Sequence, residues 1–161
     1  MVLGMNLRTF TYLHVYISLI AIGAGFIVVY GMIAARRLPL LTNIFLFTTA
    51  LTSLTGFLFP FKGVTPAIVV GILSLIVLVV AVIARRRSYS GGAWRGTYVI
   101  SAILALYFNF FVLIVQSFQK IPALHALAPT QSELPFKVTQ LVTLVLIIAL
   151  STMAFRRYRP A

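Results

Sequence analysis

The chain has no cysteine and only one acidic side chain, Glu133, in 161 residues. Without cysteine there is no disulfide framework and no thiolate nucleophile, and a zinc site loses its commonest ligands. With one carboxylate there is no acid pair and no Asp to orient a histidine beside a nucleophile, so hydrolytic chemistry is disfavoured. Charge of any sign is scarce: 9% of residues are Asp, Glu, Lys or Arg, against roughly a quarter in soluble domains. Together with 61% hydrophobic residues and a mean hydropathy of +1.10, that excludes a soluble fold.

What the chain does have is long apolar runs. Five candidate spans stand out at 11–35, 41–59, 66–84, 96–118 and 136–155; the first four contain no charged residue and the fifth only Lys137, near its start. At 1.5 Å per residue, about twenty residues cross a hydrocarbon core of roughly 30 Å, and only helices do so here, because their backbone groups are satisfied internally. The expected fold is therefore all-α, an integral membrane bundle of five transmembrane helices forming one domain over residues 1–161. The first run is too long for a signal-peptide core and is read as retained.

The basic residues choose an orientation. Arg36 and Arg37 follow the first run, Arg85, Arg86, Arg87 and Arg95 lie between the third and fourth, and Arg156, Arg157 and Arg159 follow the fifth. Arg8, Lys62, Lys120 and Lys137 fall on the other side. Arginine and lysine in short loops are retained in the cytoplasm, which places the N-terminus outside and the C-terminus inside. The net charge of +12 therefore points to anionic lipid headgroups at the arginine clusters, not to nucleic acid. Thr65 before Pro66 reads as an N-cap, Pro60 and Gly63 as a tight outer turn, and Trp94 beside Arg95 as an interfacial anchor.

Polar residues within the spans gather in the outer half. Thr48, Thr52 and Thr55 recur at helical spacing, Asn109 and Gln116 lie seven apart on one face, Gln140 opens the last span with Thr139 and Thr143, and His14 opens the first between Tyr12 and Tyr16. Helix packing alone accounts for hydroxyl stripes of this kind, as it does for the small-residue pairs Ala21 with Gly25 and Gly71 with Ser74. Primary amides cost more to bury, so Asn109, Gln116 and Gln140 each need a partner in the bundle, a water or a ligand. The candidate ligand-binding set is His14, Thr52, Thr55, Asn109, Gln116 and Gln140.

The outer loop 119–135 holds His125 and Glu133 as candidate lid residues, and its prolines 122, 129 and 135 forbid one continuous helix. The piece 123–128 is apolar enough to lie on the membrane surface, and Thr130 with Glu133 has the spacing of a capping box. His14 and His125 share the outer side, so axial haem ligation by the pair is open, although no supporting motif accompanies it. A quinone or lipid headgroup needs no such motif. Coupled transport is disfavoured by the lack of charge at mid-membrane.

The stretches Thr52-Ser53-Leu54-Thr55-Gly56-Phe57-Leu58-Phe59-Pro60-Phe61 and Gln116-Ser117-Phe118-Gln119-Lys120-Ile121-Pro122-Ala123-Leu124 resemble those of small multi-span bacterial inner-membrane proteins of uncharacterised activity. The resemblance implies location in that membrane and no site residues. The functional expectation is a non-enzymatic protein, an accessory subunit or a binder of a lipid-like or quinone-like ligand in the outer polar layer. It acts alone, as a homo-oligomer or within a larger membrane complex. The alternative is a small passive channel or exporter assembled as an oligomer.

Overall fold

A computed structural model describes residues 2, 4–60, 63, 66–88 and 92–159, and among them only helices and turns form, apart from one isolated bridge between Val2 and Met5. The helices are α1 (Leu7–Ile33), α2 (Pro39–Gly56), α3 (Pro66–Arg87), α4 (Ala93–Lys120), the short α5 (Pro122–Leu127) and α6 (Leu134–Arg157).

Four of the expected spans run longer than their apolar cores. α1 begins at Leu7 because the Asn6 side chain caps it, accepting the Thr9 N–H at 2.8 Å. Its end comes two residues before the expected 35: the chain turns at Ala35, with φ of 53°, and the Arg36 N–H returns to the Gly31 carbonyl at 2.8 Å. α3 continues through Arg85, Arg86 and Arg87, and α4 takes in Trp94, Arg95 and Lys120. Long cationic side chains reach water from such positions, so the helix outlasts the hydrophobic run. α2 stops at Gly56, short of the expected 59. The proposed Thr65 cap and Lys62 lie outside the described residues.

Four helices, α1, α3, α4 and α6, are long and apolar enough to cross a membrane. α2 is not among them: it has 18 residues and carries threonines at 42, 48, 49, 52 and 55.

Neighbouring helices pack in the order α1, α2, α3, α4, α6 and back to α1, with α4 also reaching α1 and α2 across the middle. α4 is thus the central helix. Its inner side carries Val99, Ala102, Ile103 and Leu106, all buried, and these meet Phe45 of α2 and Val28 and Val29 of α1. Close approach of α1 depends on Gly25, where a Cβ would lie 2.7 Å from Leu106 and 2.9 Å from Phe45. The opposite faces of α3 and α6 expose Ile76 and Val79, and Leu141, Val145 and Ile148, apolar surface that only lipid or another apolar partner covers favourably. A second, smaller cluster of Ile114, Phe118 and Ala128, joined by Leu124 and Phe136, seats α5 and the loop before α6 onto α4.

Candidate functional site

The polar layer expected in the outer half divides into side chains that satisfy one another and side chains that do not. His14 Nδ1 lies 2.8 Å from the Thr55 hydroxyl, which itself donates to the Leu51 carbonyl at 2.7 Å. A hydroxyl has one hydrogen, so Thr55 accepts from the imidazole Nδ1–H. Phe59 stands edge-on to the ring at 5.2 Å, and Gly56 leaves room beneath it. Because His14 opens α1 and Thr55 closes α2, the contact also shows that these two helices run antiparallel along their length.

Deeper in the layer, the Asn109 amide donates to the Thr49 hydroxyl at 3.1 Å, both residues being buried. Thr49 is the partner that sequence spacing passes over. Selecting Thr48, Thr52 and Thr55 as one stripe leaves it out, whereas Phe45, Thr49 and Ser53, four apart, trace the buried side of α2. Thr48 turns its hydroxyl to the Ile44 carbonyl of its own helix at 2.7 Å.

Two groups of the layer have no partner among the described residues. The Thr52 hydroxyl and both polar atoms of the Gln140 carboxamide are buried without a hydrogen bond. Gln140 is half-buried and lies one turn before Thr143, on the side of α6 that continues through the buried Thr143, Ile147 and Ala154, and α6 packs against α1 and α4. Leaving such a group unpaired costs about 1–3 kcal/mol, more for an amide in an apolar medium. Gln116 is exposed on α4.

The structure gives His14 and His125 separate surroundings. His14 packs on α2, whereas His125 is exposed on α5, which packs on α4. Groups of three or more His, Cys, Asp or Glu side chains able to hold a metal are absent among the described residues.

Glu133 closes the loop ahead of α6. Its carboxylate accepts from the Thr130 N–H at 3.1 Å, the Thr130 hydroxyl at 2.8 Å and the Ser132 N–H at 3.1 Å. This is half of the expected capping box: the carboxylate reaches back to Thr130, but residues 130–133 form a turn and no helix starts there. Slight desolvation acts to raise the Glu133 carboxyl, and the hydrogen bonds from Thr130, Ser132 and its own N–H outweigh it. The group sits below its ordinary value of 4.5. Gln131 adds a tie from its amide to the Val115 carbonyl at 2.8 Å.

At the opposite end the arginine clusters converge. Arg95 Nη1 donates to the Phe155 and Tyr158 carbonyls, each at 2.8 Å, holding the end of α6 against the start of α4. Arg85 Nη1 donates to the Asn43 side-chain Oδ1 at 2.6 Å, binding the end of α3 to the start of α2. The Arg87 guanidinium stacks 4.8 Å above the Trp94 ring. Two concavities open here: an apolar groove of about 510 Å³ between α3 and α6, with Val77, Ile100, Leu104 and Phe155 on its walls, and a smaller cavity of about 140 Å³ among Arg36, Arg37, Arg85 and Tyr158.

No protein family, curated protein or solved structure matches the chain.

Proposed function

We propose that this chain is a five-span protein of a bacterial inner membrane, N-terminus outside, and that it binds a lipid-like or quinone-like amphiphile in the outer half of the bundle without transforming it. It acts in this way alone or as an accessory subunit of a larger complex. The fifth crossing is α2. Its 18 residues rise about 27 Å, close to the hydrocarbon thickness, and its two ends meet opposite ends of the bundle at Asn43–Arg85 and Thr55–His14. Gathering of Arg36, Arg85 and Arg95 at one end supports a cytoplasmic assignment for that end.

The observation that carries the binding reading is Gln140. A half-buried carboxamide on a membrane helix, with neither atom bonded among the described residues, is stabilised by a ligand carrying a carbonyl, hydroxyl or phosphoester group. The interior at mid-depth is filled by Phe45, Val99, Ile103 and Leu106, which favours a binder over a pore through a single copy.

Native mass spectrometry of the protein in mild detergent tests this. The wild type should retain a defined small molecule, and Gln140→Leu should lose it while keeping the same helical content. Equal ligand content in both proteins, or none in the wild type, would contradict the reading.

A further inference from the structure

The larger concavity is a groove whose floor is α4. α3 and α6 each pack on that helix, and between them part of it stays open: Ile100 is 52% exposed and Leu104 36%. Val77 and Val80 of α3 form one wall and Phe155 of α6 the other. We propose that this groove is a binding site for one acyl chain of an anionic membrane phospholipid, with the headgroup at the arginine end. The site depends only on α3, α4 and α6 crossing the membrane. It is separate from Gln140, which lies fifteen residues before Phe155, about 22 Å along α6.

The lining calls for an apolar occupant. Two hydroxyls belong to the floor, and both are given to carbonyls of α4 itself, Thr97 to Ala93 at 3.0 Å and Ser101 to Thr97 at 2.6 Å. Deeper in, the groove is bounded by Val77, Val80, Ile100 and Leu104. The Phe155 wall is built on Gly96, where a Cβ would lie 2.6 Å from the ring, so only glycine lets the ring rest against α4 there. Arg95 fixes that ring in place: it holds the Phe155 and Tyr158 carbonyls at 2.8 Å, and its guanidinium lies 5.3 Å from the ring centroid.

Depth identifies the occupant as a lipid chain. From Ala93 to Leu104 the floor runs about 16 Å, and from Arg87 back to Val77 the α3 wall runs about 15 Å, each close to half of the roughly 30 Å hydrocarbon core. Beyond Leu104 the same face of α4 carries Tyr107, Phe108 and Phe111, all half-buried, with Tyr107 in ring contact with the other two at 6.0 and 6.1 Å. These rings stand where the groove would continue, and it ends at mid-membrane. A partner helix crosses both leaflets and needs an open face along its whole length, whereas an acyl chain occupies one leaflet.

Charge at the mouth complements an anionic headgroup. The α3 wall ends in Arg86 and Arg87 and the α6 wall in Arg156 and Arg157, all exposed, while Glu133 lies at the other end of α6. Gly92, at φ of 68°, takes the N-cap position of α4 and brings no side chain to it. With Ala93 and Gly96 it lines the mouth, so the positive end of the helix faces the groove through small residues. Basic positions at the ends of membrane helices attract anionic lipid in this way.

The test uses the purified full-length protein, stripped of lipid in mild detergent, with native mass spectrometry after adding phosphatidylglycerol or phosphatidylcholine. Ile100→Phe and Val80→Phe fill the groove at exposed positions on two different helices, so either serves if the other fails to fold. Ile148→Phe adds the same bulk on the exposed face of α6, outside the groove. Helical content and melting are compared for all three. The expected result is one phosphatidylglycerol per chain, bound at least about tenfold more weakly by Ile100→Phe and Val80→Phe and unchanged in Ile148→Phe. Gln140→Leu should keep this lipid, which separates failure of this groove from failure of the Gln140 site. Equal weakening by Ile148→Phe, loss of the lipid in Gln140→Leu, or binding of phosphatidylcholine as tight as phosphatidylglycerol would overturn the proposal, as would failure of phosphatidylglycerol to bind. A lipid-free dimer that Ile100→Phe dissociates would also overturn it, by assigning the groove to a second copy of the chain.

Discussion

Asn109 and Thr49 join the central helix to the threonine-rich α2: the amide of the first donates to the hydroxyl of the second at 3.1 Å, and both residues are buried. Side-chain bonds between membrane helices contribute about 0.6–2 kcal/mol, because the dissociated helices also find partners. A double-mutant cycle of Asn109→Leu and Thr49→Val should therefore return a coupling of about 1 kcal/mol. Unfolding titrations in mixed micelles measure it. Additive effects would mean that the two side chains do not meet.

Two glycines of α1, two residues apart, should respond oppositely to alanine. A methyl at Gly25 meets Leu106 at 2.7 Å and Phe45 at 2.9 Å in the middle of the core, whereas at Gly23 nothing lies within 4 Å. Gly25→Ala is expected to destabilise the bundle by about 1–3 kcal/mol through overpacking, and Gly23→Ala to stabilise it by up to about 1 kcal/mol through helix propensity. The same unfolding titration ranks the two.

Acid should loosen the loop between α5 and α6 before it affects the bundle. Glu133 has its folded-state pKa lowered below 4.5 by the bonds from Thr130 and Ser132, so the stabilisation it supplies is complete above that value and is lost as pH falls through the lower, folded-state value. Amide hydrogen exchange in residues 128–133, corrected for its intrinsic pH dependence, should thus stay protected at about pH 6 and accelerate as the pH falls through the lowered Glu133 value, below 4.5. Glu133→Gln should abolish the transition, and Thr130→Ala should move it toward higher pH.

How far the sequence reveals this architecture depends on which forces act within one helix and which between helices. The all-helical bundle is legible because twenty-residue apolar runs have a single solution in lipid. The ends are less so, since Trp94, Arg95 and Lys120 are helical although their side chains belong to the interface. Prolines 122, 129 and 135 rule out a continuous helix, yet Pro122 at the first helical position starts a short one, α5. At the candidate site, the spacing of Thr48, Thr52 and Thr55 identifies a face of α2 without saying which face meets α4. Thr49 is chosen by its contact with Asn109, a fact of packing that no periodicity within α2 contains. The arginine cavity is hidden for the same reason. Arg36 and Arg85 are 49 positions apart, and only the antiparallel return of α2 and α3 sets them around one void.

The account rests on α2 crossing the membrane with the arginine end in the cytoplasm, and a chain without cysteine allows a direct measurement. Ala34→Cys and Pro60→Cys bracket α2 at exposed positions. In intact cells a membrane-impermeant maleimide should label the cysteine at 60 at once and the one at 34 only after permeabilisation. Labelling of both from the same side would show that α2 does not cross, and labelling of position 34 alone in intact cells would reverse the orientation.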